Sequence, residues 1–296
     1  MRSITPRAEK RGMRVVFILS TNYAGSHLLA QLLGAHPKAC SIGELHNYRK
    51  QLERPDERRS VIDDFAVNAQ FAGLGELPIE QWHADIAARA RQRTPALDTL
   101  IDNSKRVAWA RRFIDNPRFP ATFVHLLRDP RALVRRWQLA YDTTRKRRRQ
   151  RLRVIKARPL WLLPALLNEQ WDVYCCKWLI GNQRISNFLA RQGQQKNMLT
   201  YRDLAVDTEG SLQYLMPLLG ADYDPHQLRY GEVEHGGTLK REYLERSRHS
   251  KIDLDLRWRH ELAPGQLRQI TAHRGIRRYL GRLGVRMLDD GLTLPR

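Results

Sequence analysis

Cysteine is scarce and poorly placed for chemistry. Cys40, Cys175 and Cys176 are the only three in 296 residues, and none stands in a CxxC or metal-ligand spacing. Adjacent cysteines bridge poorly, so a disulfide framework and a thiolate metal site are excluded and the thiols are expected reduced and mostly buried. Long apolar runs are missing as well. Nothing approaches the roughly twenty residues that a membrane span requires, and Val15 to Leu19 is too short for the apolar core of a signal peptide. The expectation is a cytoplasmic protein, at most peripheral to a membrane. Acidic residues are the third shortage: 31 Asp and Glu face 52 Lys and Arg, a net charge of +21. Yet there is no zinc-finger spacing, RNP-type aromatic motif or helix-turn-helix pattern, so no specific nucleic-acid partner is expected. Charge alone gives only salt-sensitive, sequence-independent attraction.

The surplus of cations is concentrated. Residues 145 to 158 read Arg-Lys-Arg-Arg-Arg-Gln-Arg-Leu-Arg-Val-Ile-Lys-Ala-Arg and lead into Pro159-Leu160-Trp161-Leu162-Leu163-Pro164-Ala165-Leu166-Leu167. An anionic partner beyond a small ligand is implied, either an acidic polysaccharide or the surface of an anionic membrane. The apolar stretch suits a membrane interface, with the arginines on lipid phosphates. The plainer alternatives are a solvated basic loop, and a core segment or lid over an apolar acceptor pocket.

What remains reads as α/β. Apolar runs at 14 to 19, 97 to 101, 121 to 127 and 197 to 201 are too continuous to have a solvent face and predict parallel strands, with helical periodicity between them. Pro78 to Arg93 predicts an amphipathic helix. Residues 1 to 13 read as a flexible N-terminus and 14 to 296 as one domain with a basic helical insertion near 143 to 168; no internal repeat or linker calls for a second. Chemistry gathers at strand ends. Val15 to Leu19 is followed by Ser20-Thr21-Asn22-Tyr23-Ala24-Gly25-Ser26-His27 and a helix start at Leu28. A strand, a tight turn and a helix N-terminus make an anion cradle in outline, in which Gly25 permits close backbone approach and Ser26 offers a hydroxyl or a cap. The turn has neither the GxxxxGK[ST] spacing nor any Lys or Arg, so an ordinary strand-to-helix connection is an equal reading. Asp102-Asn103-Ser104-Lys105-Arg106 follows the second run and Arg128-Asp129-Pro130-Arg131-Ala132 the third; open α/β sheets collect ligands at such ends. Two bland alternatives stand beside these: Ser104 caps a helix beginning near Val107, and Arg128 makes an internal salt bridge before a proline-initiated helix.

In these segments the chain resembles the sulfotransferases that use 3′-phosphoadenosine 5′-phosphosulfate, PAPS. The resemblance covers most of residues 14 to 262. Tyr23-Ala24-Gly25-Ser26-His27, with His36-Pro37 downstream, is similar to that family's 5′-phosphosulfate loop; residues 128 to 132 match its RDPRA motif for the 3′-phosphate; Tyr201-Arg202-Asp203-Leu204 approximates its Tyr-Glu-Asp-Leu element near adenine; and His235-Gly236-Gly237-Thr238-Leu239-Lys240-Arg241 resembles its closing glycine loop. The resemblance implies a P-loop NTPase-like α/β fold, PAPS as donor substrate without a metal, and sulfuryl transfer to a hydroxyl on an acceptor such as a carbohydrate or lipid. It implies donor contacts at Tyr23, Ala24, Gly25, Ser26, His27, Leu28, Ser104, Arg128, Arg136, Tyr201 and Lys240 or Arg241. Two departures stand out: Tyr23 occupies the position where relatives carry Lys or Arg, and Arg136 one where they offer serine. Lys105, in an Asn-Ser-Lys that resembles the family's (D/K)SK element, is the replacement cation. Glu44, in a Gly-Glu that resembles the one carried by several relatives, is the first choice of base, with His27 and His46 as alternatives. The acceptor pocket is expected from Glu44 to Tyr48, the basic insertion and Trp171 to Tyr174. A nucleotide kinase of related topology and a non-catalytic binder of anionic surfaces are the other classes; the first would need magnesium and a loop lysine.

Overall fold

The computed structural model describes residues 12–53, 71–116, 119–233 and 252–295. The chain runs β1 (Arg14–Ser20), α1 (Ser26–Gly34), β2 (Ala39–Gly43), α2 (Leu45–Glu53), α3 (Trp82–Arg93), β3 (Thr99–Lys105), α4 (Val107–Ala110), β4 (Ala121–Leu127) and α5 (Pro130–Ala140). It continues through α6 (Thr144–Ala157), α7 (Leu162–Leu167), α8 (Gln170–Arg191), β5 (Met198–Thr200), α9 (Tyr201–Val206) and α10 (Thr208–Leu218). Three short helices, α11 (Trp258–Glu261), α12 (Pro264–Ala272) and α13 (Arg274–Leu283), and a hairpin of β6 (Arg286–Leu288) and β7 (Gly291–Thr293) complete it. The expectation of a flexible N-terminus falls on residues outside those described, Gly12 and Met13 excepted.

Five parallel strands form the central sheet in the order β2-β3-β1-β4-β5. Its middle strand shows why both faces must be covered. Val15, Phe17 and Leu19 enter one cluster with Trp82, Trp109, Phe113 and Phe188, while Val16 and Ile18 enter another with Leu29, Leu32, Val124 and Leu212. Alternation with no polar side is what a parallel sheet between helix layers requires. A third cluster joins α5 and α8 to the C-terminal helices through Trp137, Trp178 and Tyr279.

The strand order puts a topological reversal between β1 and β4: the chain leaves β1 for β2 on one side, returns to β3, and crosses from β3 over β1 to β4 on the other. All five strands are parallel, so Ser20, Gly43, Lys105, Leu127 and Thr200 end on one edge. That edge is where ligands collect in open α/β sheets. The ladder is irregular just there. Phe17 pairs with Asp102 but Leu19 with Lys105, so β3 carries one residue more than β1 across that step. Such a bulge redirects side chains at a sheet edge. It leaves Lys105 left-handed at φ 64°, one of two non-glycine residues with positive φ among those described; the other is Tyr23 at φ 71°. Both cost free energy that surrounding structure must offset, a pattern that clusters at functional sites.

Candidate active site

The turn after β1 is short because Gly25 takes φ 96°, a conformation that only glycine adopts without strain, and from it α1 starts with no side-chain cap. A Cβ on Gly25 would lie 2.5 Å from Cδ2 of Tyr201, so the ring of Tyr201 rests directly on the turn. The Ala24 amide folds back on the Thr21 carbonyl at 3.3 Å, and Ala24 is fully buried. The opening amides of α1, from Ser26 to Leu28, precede any carbonyl of their own helix that could accept them, and they carry the positive end of its dipole.

Three candidate residues meet beside that turn. His27 Nε2 lies 2.9 Å from Glu44 Oε1 and 3.3 Å from Lys105 Nζ, and Lys105 Nζ donates to the same carboxylate oxygen. Asn47 Nδ2 holds the second oxygen of Glu44 at 2.9 Å. The first turn of α1, the junction of β2 with α2 and the end of β3 therefore deliver one side chain each to a single cluster. Burial would raise the Glu44 carboxyl, but the Lys105 ammonium, its hydrogen bond and His27 outweigh burial and hold the carboxyl below its ordinary value. Burial, helped by Lys105, pushes His27 down to about 4, so its imidazole is neutral near pH 7. His46 is pushed down to about 3 by burial and then by Lys50; it accepts from Arg106 Nε at 3.1 Å and stands apart from the Glu44 contact.

Ser104 does not cap the helix at Val107. It lies within β3, and its hydroxyl accepts the His46 amide at 3.1 Å while donating to Asp102. Asp102 is fully buried yet satisfied, taking the Ser104 amide at 2.8 Å, His83 Nε2 at 3.0 Å and Trp109 Nε1 at 2.8 Å. A buried carboxylate with four donors is a rigid anchor, and it fixes the bulged end of β3 from which Lys105 projects. The sequence offered no signal for this role, since His83 and Trp109 come from α3 and α4.

On the other side of β1, Arg128 donates to the Tyr23 carbonyl at 2.8 Å and to Asp255 at 2.8 Å, and its guanidinium stacks on Tyr201 at 4.1 Å. Arg257, then Arg128, hold the Asp255 carboxyl down at about 2 despite partial burial. Arg128 thus makes an internal salt bridge, to Asp255, while it borders the loop. The second arginine of the motif is structural, for Arg131 pairs with Asp129 at 2.7 Å and stacks on Trp258. Arg136 stacks 4.6 Å over the Tyr23 ring, which brings a guanidinium to the loop position that has no cation of its own. Lys240, Arg241 and the glycine loop before them lie outside the described residues.

The edge carries unsatisfied polar atoms. Among the described residues, Ser20 Oγ, both amide atoms of Asn103 and Arg128 Nε are buried with no hydrogen-bond partner. Orphaned donors beside an uncapped helix N-terminus fit the phosphates of a nucleotide donor. Among the described residues no group of three His, Cys, Asp or Glu is placed to hold a metal ion, and no helix is long and apolar enough to cross a membrane. Cys40 is half-buried; Cys175 and Cys176 are buried free thiols. Burial pushes Cys175 well above its ordinary value and Cys176 up to about 12, so neither is a nucleophile.

A family model described as the sulfotransferase family matches residues 15–225. Among solved structures, the sulfotransferase domain from the curacin biosynthetic pathway is similar at a TM-score of 0.56 and 18% identity, covering 88% of this chain and 97% of that one. The sulfotransferase domain from the Synechococcus PCC 7002 olefin synthase is similar at a TM-score of 0.51 and 23% identity, covering 91% and 97%. No curated protein matches. At these identities the likeness bears on the fold, a parallel sheet between helices of the P-loop-like kind.

Proposed function

Because the chain belongs to the sulfotransferase family, we propose that it transfers a sulfuryl group from PAPS to the hydroxyl of an acceptor. The observation that carries this reading is the cluster of His27, Glu44 and Lys105 beside the uncapped start of α1. A phosphosulfate bound there supplies the activated sulfur, whose bond to the leaving phosphate oxygen breaks as the acceptor oxygen bonds to it. The α1 amides and Lys105 neutralise charge that grows on the leaving oxygen. Arg128 and Arg136, which stack on Tyr201 and Tyr23 beside the loop, would meet the phosphates at the other end, and Tyr201 would meet the base.

Glu44 takes the acceptor proton. In the cluster as it stands its carboxyl is a weak base, because Lys105 pairs with it. As Lys105 turns toward the sulfuryl oxygens, Glu44 loses its main stabilising charge while staying buried, and its basicity rises when a base is needed. His27 stays neutral and orients the carboxylate. Tyr141 and the helices α6 and α8 would wall the acceptor side, since the Tyr141 ring lies 6.1 Å from that of Tyr174 on α8, and α6 packs on α8.

The test is release of adenosine 3′,5′-bisphosphate from PAPS by the wild type and Glu44→Gln, without magnesium. Glu44→Gln should lower turnover by about 10²- to 10⁴-fold, the usual share of a general base, while the affinity for adenosine 3′,5′-bisphosphate stays near that of the wild type. Near-normal turnover of Glu44→Gln would remove that residue from the mechanism.

A further inference from the structure

The segment from Thr144 to Leu167 folds as α6, a short 3-10 turn at Pro159–Trp161 and α7. It packs on α8 through a small cluster of Val154, Ala165, Val173 and Cys176. That contact uses little of its apolar content. Leu160 is 96% exposed, Leu163 67% and Leu167 80%, and Leu162 and Leu166 are also exposed. Five leucines on one short surface form an unusual patch for a protein that stays in water. α6, which packs against α7, carries exposed cations at Arg145 to Arg149, Arg153 and Lys156, and exposed Arg158 follows it. No Asp or Glu occurs between Asp142 and Glu169.

We propose that the exposed leucines of α7 and the arginines of α6 dock this protein on the surface of an anionic lipid bilayer. The leucines enter the acyl boundary and the cations meet lipid phosphates, the division of labour of an interfacial segment. Charge and apolarity together select this occupant. An acidic polysaccharide or a nucleic acid would satisfy the arginines but offers no apolar medium for the leucines. A second copy would satisfy the leucines but would bring two arrays of like charge together. The placement also bears on the site. α6 packs on α8, and the Tyr174 ring of α8 lies 6.1 Å from that of Tyr141 at the end of α5, so the docking face borders the helix expected to wall the acceptor side. Resting on the sulfotransferase reading, that neighbourhood points to an acceptor hydroxyl presented at headgroup depth; the docking itself does not depend on it.

The experiment is flotation of the full chain with vesicles of phosphatidylcholine alone or with about 30% phosphatidylglycerol, at about 0.15 M salt. The variants are the triple Leu160→Gln, Leu163→Gln, Leu167→Gln and the double Arg148→Glu, Arg149→Glu, their folding checked by circular dichroism. No donor or acceptor is present, so the outcome is independent of sulfuryl transfer. The wild type should float only with the anionic vesicles, and each variant should bind them at least about tenfold more weakly. Three results would overturn the proposal: no flotation of the wild type, equal binding by the leucine triple, or leucine-dependent dimers in sedimentation without lipid. Equal binding by the triple, with heparin or RNA displacing both proteins alike, would mean diffuse attraction of a strongly cationic chain for any polyanion.

Discussion

Asp102→Asn isolates the anchor that holds the end of β3. The carboxylate is fully buried and accepts from the Ser104 amide and hydroxyl on Oδ1 and from His83 and Trp109 on Oδ2. An amide is nearly isosteric, so no cavity forms, but it accepts on one side only. Whichever way it turns, one obligate donor, the Trp109 indole N–H or the Ser104 amide, faces an NH₂ group, while the Ser104 hydroxyl and the His83 ring can accept instead. A buried donor left without an acceptor costs about 1 to 3 kcal/mol. The expected loss is therefore about 1 to 3 kcal/mol, set against the roughly 5 to 15 kcal/mol that keeps a protein folded. Urea unfolding of wild type and variant, followed by far-ultraviolet circular dichroism, reads the difference directly. A loss below about 1 kcal/mol would refute the reasoning, because it would mean that the four contacts are not made together.

Gly25→Ala should be destabilising and should abolish binding of adenosine 3′,5′-bisphosphate. The new Cβ meets Tyr201 at 2.5 Å in a left-handed residue, and such crowding in a packed site typically costs about 1 to 3 kcal/mol; unchanged calorimetric binding contradicts this. Stability should also fall as pH drops from about 6.5 to about 4. Burial is the first cause that pushes His27 and His125 down to about 4 and His46 down to about 3. In that window the unfolded chain binds more protons than the folded one, and a native state that binds fewer protons loses stability on acidification. Thermal melts across the window check it, and a flat profile contradicts it.

The strands were legible in the sequence where apolar residues run without interruption. β1, β4 and β5 fall on such runs, and β3 begins in one. β2 was not legible, because Ala39-Cys40-Ser41-Ile42-Gly43 is short and made of small residues that carry no periodic signal. The polar letters of Asp102, Asn103 and Ser104 hid the continuation of β3 to Lys105. A buried strand tolerates them only because His83 and Trp109, distant in sequence, reach Asp102. The meeting of Glu44, Lys105 and His27 followed from strand ends and resemblance. The engagement of Arg128 with Asp255 did not, since a pair separated by 127 residues leaves no local pattern. The basic run showed its charge in the sequence, whereas the exposure of Leu160, Leu163 and Leu167 depends on how little of α7 packs against α8.

The central claim is that the edge formed by Gly25, Lys105 and Arg128 is a single site for a nucleotide with phosphate on both sides of its ribose. Calorimetric titration with adenosine 3′,5′-bisphosphate at low and moderate salt, on the wild type and on Lys105→Ala, tests it most directly. The account predicts saturable one-to-one binding that persists at moderate salt, where diffuse attraction is screened, and that weakens in Lys105→Ala. Binding that never saturates, or that vanishes at moderate salt, would contradict it.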